Sequence, residues 1–167
     1  RSVSSAASDV YKRQVLGLRH NFRGSYLYSP DEIHDKNITG NVLMSSVMDY
    51  DPINIAPEGV EQGIYFSTEP GVYDKWAVKF GYTPNLTDEE RTALLQQSVK
   101  RELTFGTDDD AMSYPGNNID PRTKRYDMSN DPIGYAEDIV KIVDQKINEL
   151  PEIFSDEEGF NNYTCLL

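Results

Sequence analysis

The chain has 167 residues, 38% of them hydrophobic, and 16 basic against 28 acidic side chains give a net charge of −12. That length suffices for one domain with a core. The acidity argues against nucleic acid or an anionic lipid surface as partner, and no apolar run approaches the length of a membrane span. A single cysteine, Cys165, excludes an internal disulfide and leaves the compartment open.

Taken in chain order, residues 1–14 are polar and rich in small side chains, with no apolar core of the kind a signal peptide needs. They resemble the translation of a sequencing adapter and are expected to be non-native. Ser29-Pro30-Asp31-Glu32 combines a capping serine, a proline at the first helical position and acids in the first turn, predicting a short helix near residues 30 to 36. Residues 51 to 71 are rich in Pro, Gly and acids and should be extended and irregular. Tyr73 to Phe80 should form a helix burying Trp76 and Phe80, closed by Gly81 with Pro84 beyond. Thr87-Asp88-Glu89-Glu90 fits a capping box opening a helix to about Leu103. Residues 106 to 130 read as a long polar loop. Asp131-Pro132 then caps a helix to Leu150, with Ala136, Ile139, Val140, Val143, Ile147 and Leu150 on one stripe and Pro151 after its end. The fold class expected is mainly α with long irregular loops.

The chemistry concentrates in Gly17-Leu18-Arg19-His20 and Ser46-Val47-Met48-Asp49-Tyr50. A glycine that lets the chain turn left-handed at a helix end, followed three residues later by a histidine, is how one zinc-protease motif delivers its third ligand. Taken alone, G-x-x-H is common, and an isolated methionine is usually a flexible core filler. The wider run from Leu16 to Ser25 resembles the bacterial zinc-dependent metalloproteases of the metzincin clan that carry an EcxA-like, Met-zincin zinc-binding domain. The resemblance continues through His34-Asp35-Lys36, Ser46 to Pro57, Tyr73 to Ala77 with Phe80-Gly81-Tyr82, and Asp131 to Ala136.

That resemblance implies a zinc metalloendopeptidase acting on protein or peptide substrates, exported to the periplasm or cell exterior. In its motif H-E-x-x-H-x-x-G-x-x-H, three histidines hold Zn2+ and the glutamate deprotonates the zinc-bound water. Gly17 matches the turn glycine, His20 the third zinc ligand and Met48 the methionine of the tight turn below the metal. Tyr50 matches a tyrosine that stabilises the oxyanion of the tetrahedral intermediate; a tyrosine packed under the site floor with its hydroxyl on the backbone is the alternative. The first His, the Glu and the second His fall on Val10, Tyr11 and Gln14, so this copy lacks them and should be inactive.

The match begins abruptly at Val15, which favours replacement of an upstream zinc-binding helix by adapter sequence over natural loss. The expected organisation is therefore 1–14 adapter-derived, 15–155 the C-terminal (lower) subdomain of a metzincin α+β catalytic domain, and 156–167 a tail, itself ending in what resembles a second scar. With the upper sheet missing, the fragment should be marginally folded or aggregate. A catalytically dead peptide- or protein-binding domain is the alternative function. Asp108-Asp109-Asp110, with Asn117, Asn118, Asp120 and Asp127, offers oxygen ligands for calcium, but the spacing departs from an EF-hand and a solvated loop is preferred. His34 and the Lys124-Arg125 pair join no nucleophilic or phosphate-binding set.

Overall fold

In the computed structural model, residues 15–111 and 120–153 are described, with side chains to residue 150. Two single 3-10 turns, Gly24–Leu27 and Glu32–His34, lead into α1, Lys36–Thr39. Three further helices follow: α2 over Val72–Tyr82, α3 over Asp88–Gln96 and the short α4 over Asp108–Ala111. The longest, α5, runs from Pro132 to Ile153. No strand occurs among the described residues, and residues 51–71 carry no helix.

Capping chemistry explains most of the starts. The Thr87 hydroxyl accepts from Glu90 N at 3.2 Å and Glu90 Oε2 accepts from Thr87 N at 2.9 Å, so α3 opens on a full capping box. Ser29 and Glu32 exchange the same pair of bonds, yet the predicted helix over 30 to 36 divides. Asp35 is extended (ψ 107°) and its carboxylate caps α1 from Asn37 N. Lys100, also extended, likewise interrupts the helix expected to reach Leu103, leaving 3-10 turns at Gln97–Val99 and Arg101–Leu103. Helix α2 continues through Gly81 to Tyr82, because Thr83 N still donates to Lys79 O.

Burial departs from expectation in two helices. Trp76 and Phe80 are half-buried, stacked on each other between α2 and α3, with Trp76 Nε1 donating to Leu94 O at 3.0 Å. On α5 the packed side is Tyr135, Ile139 and Ile142, whereas Val140, Val143 and Ile147 of the expected stripe are exposed. Apolar residues cover a wide arc of this helix, and only one edge meets the core. The helix also passes Pro151, which removes one hydrogen bond in its last turn without ending it. The core itself is Ile33, Leu43, Met44 and Met128, with Tyr28, Ile64 and Tyr135 against it.

The buried side chain of α2 is a carboxylate. Asp74 is 3% exposed. Its Oδ1 accepts from the Ser46 hydroxyl at 2.7 Å, and its Oδ2 from Val47 N at 2.8 Å and Gly71 N at 3.1 Å. One side chain therefore closes the start of α2 and fastens the 46–48 turn to it. Tyr73 N donates to Ser45 O at 2.9 Å beside it. A Cβ on Gly71 would overlap Ser45 O, so only glycine allows this approach.

Replacing Asp74 by Ala leaves three donors, two of them backbone, without their acceptor in a buried place. The expected loss is about 3 kcal/mol or more of unfolding free energy, read as a lower denaturant midpoint at unchanged slope.

Candidate metal-ligand site

His20, Tyr50 and Asp108 come from three distant segments and meet. His20 Nε2 lies 3.1 Å from the Tyr50 hydroxyl. On its other side, Nδ1 lies 3.1 and 3.0 Å from the two oxygens of Asp108. Phe22, fully buried, carries the imidazole in a stacked contact with ring centres 5.2 Å apart, and Tyr50 tilts against both rings. Tyr126 stacks on the far face of Tyr50, and the Arg125 guanidinium lies 5.8 Å from the Phe22 ring centre.

The backbone around His20 is held by its neighbour. Asn21 is fully buried. Its N donates to Met48 O at 3.3 Å, and its side chain donates to Thr104 O and accepts from Gly106 N, both at 3.1 Å. Phe22 N adds a 2.7 Å bond to Gly106 O. This brings the 20–22 segment against residues 104–106 and against the 46–48 turn. Met48 is 2% exposed, with its N on the Ser46 hydroxyl at 3.1 Å. Gly17 takes φ +75°, the left-handed conformation that favours glycine. The positions of Val10, Tyr11 and Gln14 lie outside the described residues, as do Asn117, Asn118 and Cys165.

In the acidic run Asp109 is exposed, while Asp108 and Asp110 are half-buried. Asp108 turns to His20, Asp109 pairs with Arg19 at 3.4 Å, and Asp110 caps its own turn through Thr107 N at 2.9 Å. The three carboxylates thus point to three different protein partners. Thr107-Asp108-Asp109-Asp110 has the spacing of a capped helix start, a signal in the sequence that identifies α4. Nothing in the sequence pointed Asp108 at His20, because 88 residues separate them. Asp120 pairs with Arg23 and Arg122, and Lys124 and Arg125 join no phosphate-type cradle. His34 sits apart, near Asp138 of α5.

A second acidic feature lies behind the turn. Asp49 accepts from Ser25 N at 3.0 Å and Tyr50 N at 2.8 Å, yet burial dominates and pushes its carboxyl up to about 8, with the Asp127 charge adding to the rise. Burial also raises Asp127, to about 6. The neighbouring Ser25 hydroxyl restrains that rise without reaching bonding geometry: both Asp127 oxygens and Ser25 Oγ lack a partner.

A family model described as Met-zincin matches residues 14–166. The chain belongs to the Met-zincin family. The match starts where the adapter-like segment ends and takes in residues 156–166, beyond the expected domain end. No curated protein and no solved structure matches the chain. For a Met-zincin the family implies zinc, and the donor set tests the fit. His20 is one well-held imidazole, but no group of three His, Cys, Asp or Glu able to hold a metal occurs among the described residues. The described residues do not by themselves make a zinc site. No helix among the described residues is long and apolar enough to cross a membrane.

The raised carboxyls set a pH dependence. Both bind protons more tightly folded than unfolded, so their stabilisation is full below about pH 4 and declines as pH rises. The decline runs through about 6 for Asp127 and about 8 for Asp49. Above the ordinary imidazole range, where the burial-lowered His34 no longer opposes the two carboxyls, unfolding midpoints should therefore fall between about pH 7 and pH 8.5, and Asp49→Asn should flatten that fall. An unchanged slope in the variant would remove Asp49 as its source.

Proposed function

We propose that this chain is the part of a zinc-dependent metalloendopeptidase domain that follows its zinc-binding helix. It supplies the third ligand His20, the turn methionine Met48 and the oxyanion-stabilising Tyr50. The observation that carries this reading is the 3.1 Å approach of His20 Nε2 to the Tyr50 hydroxyl, two residues matched to the family independently and 30 positions apart. Membership of the Met-zincin family supports the same assignment. In the family the zinc supplies an activated water; here the residues for that chemistry are absent, and no hydrolytic step follows from the side chains present. The described helices and loops, with no strand, suit a lower metzincin subdomain whose upper, sheet-bearing part precedes it. The exposed Val140, Val143 and Ile147 suit an element meant to be covered. Substrates are proteins or peptides, and the site of action lies outside the cytoplasm, both by family likeness.

A second reading is favoured by the residues at Val10, Tyr11 and Gln14: a metzincin scaffold that has lost catalysis and binds a peptide or protein partner. Sequencing the source DNA across codons 1 to 20, on a template free of ligated adapter, separates the two. Histidine, glutamate and histidine at these positions support the protease; confirmation of the present residues supports the binding domain.

The 167-residue chain should show no casein hydrolysis and retain well under one equivalent of zinc after gel filtration. Chelator-sensitive cleavage by this chain would sink the inactive reading. The combined variant Val10→His, Tyr11→Glu, Gln14→His should gain zinc retention.

A further inference from the structure

We infer that Asp108 is the positioning residue for His20, selecting the imidazole tautomer that carries hydrogen on Nδ1 and leaves the lone pair on Nε2. Both oxygens of Asp108 lie within 3.1 Å of Nδ1. An ionised carboxylate only accepts, so a neutral His20 must donate from Nδ1. Its Nε2 is then an acceptor, and the Tyr50 hydroxyl at 3.1 Å donates to it. A free imidazole in water favours hydrogen on Nε2, so the arrangement reverses the intrinsic preference.

The carboxylate is itself fixed from two sides. It stands at the first position of α4, whose start is closed by Asp110 Oδ2 on Thr107 N, and the next residue pairs with Arg19, the one before His20. The Asn21 side chain and Phe22 N tie the two segments together at Gly106. Asp108 and His20 therefore approach as parts of two mutually bonded stretches, and the ring orientation is set before any metal arrives. A histidine that binds a metal through one nitrogen commonly donates its other N–H to a carboxylate. Asp108 meets that description. The consequence for zinc rests on the proposed function; the tautomer does not.

The test uses the uniformly 15N-labelled 167-residue chain, free of metal, at about pH 9, above the ordinary imidazole range. Long-range 1H–15N correlation distinguishes the two ring nitrogens, and a His34→Gln variant assigns the signals, since His20 and His34 are the two histidines of the chain. Wild type should show hydrogen on His20 Nδ1. Asp108→Asn should keep it, because the amide oxygen still accepts, and Asp108→Ala should revert to the Nε2–H form. Tyr50→Phe should leave hydrogen on Nδ1. Hydrogen on Nε2 in wild type, a wild-type pattern in Asp108→Ala, or reversal by Tyr50→Phe would each overturn the inference. If Asp108→Ala fails to give a folded amide spectrum, the wild-type and Tyr50→Phe spectra decide it. Hydrogen on Nδ1 in both supports it, and on Nε2 in either overturns it. No metal enters the measurement, so a failure to bind zinc leaves the result intact.

Discussion

Everything near the site hangs from one buried carboxylate, Asp74. Its three bonds, from the Ser46 hydroxyl, Val47 N and Gly71 N, join a turn without regular structure to the first turn of a helix. A buried charge is costly unless its hydrogen bonds are all made. That cost works as a constraint: the arrangement of the 46–48 turn that satisfies Asp74 also buries Met48 and leaves Tyr50 half-buried beside His20. The absence of a side chain at Gly71 makes the approach sterically open.

From that anchor the rest follows outward. Met48 O receives Asn21 N, Asn21 reaches Thr104 and Gly106, and the segment beyond Gly106 carries Asp108 to His20. The site is thus a chain of backbone-to-side-chain bonds, with aromatic rings filling the space between. The links are polar and at least partly buried, so loss of one leaves a donor or acceptor short of a partner and weakens the next.

How far the sequence showed this depends on the kind of interaction. The helix start at Thr87 and Glu90 is legible because its capping partners lie three residues apart, whereas the equally local caps at Asp35 and Thr107 open helices too short to show a period. Family likeness singles out His20 and Tyr50 one by one, but their direct approach is not in the sequence, since no spacing rule links residues 30 apart. Asp108 was visible as an acid but not as a partner, and Asp74 resembled any first-turn acid of a helix. The apolar face of α5 differs from expectation for another reason. Hydrophobic residues occupy too broad an arc, so periodicity located the helix and not the edge that packs. Trp76 and Phe80 stay half-buried, with the tryptophan N–H on the Leu94 carbonyl and the Arg91 guanidinium over the Phe80 ring.

The 88-residue separation of His20 and Asp108 bears on how the molecule comes to be folded. Closing a loop of that length brings an entropic cost that must be met before the contact it makes is gained. The capped helices form from neighbours and need no such closure. His20 meets its carboxylate only where residues 104 to 108 return to the 20–22 segment. The ligand geometry therefore depends on long-range closure, and lengthening or loosening the chain between would cost the site more than it costs the locally capped helices.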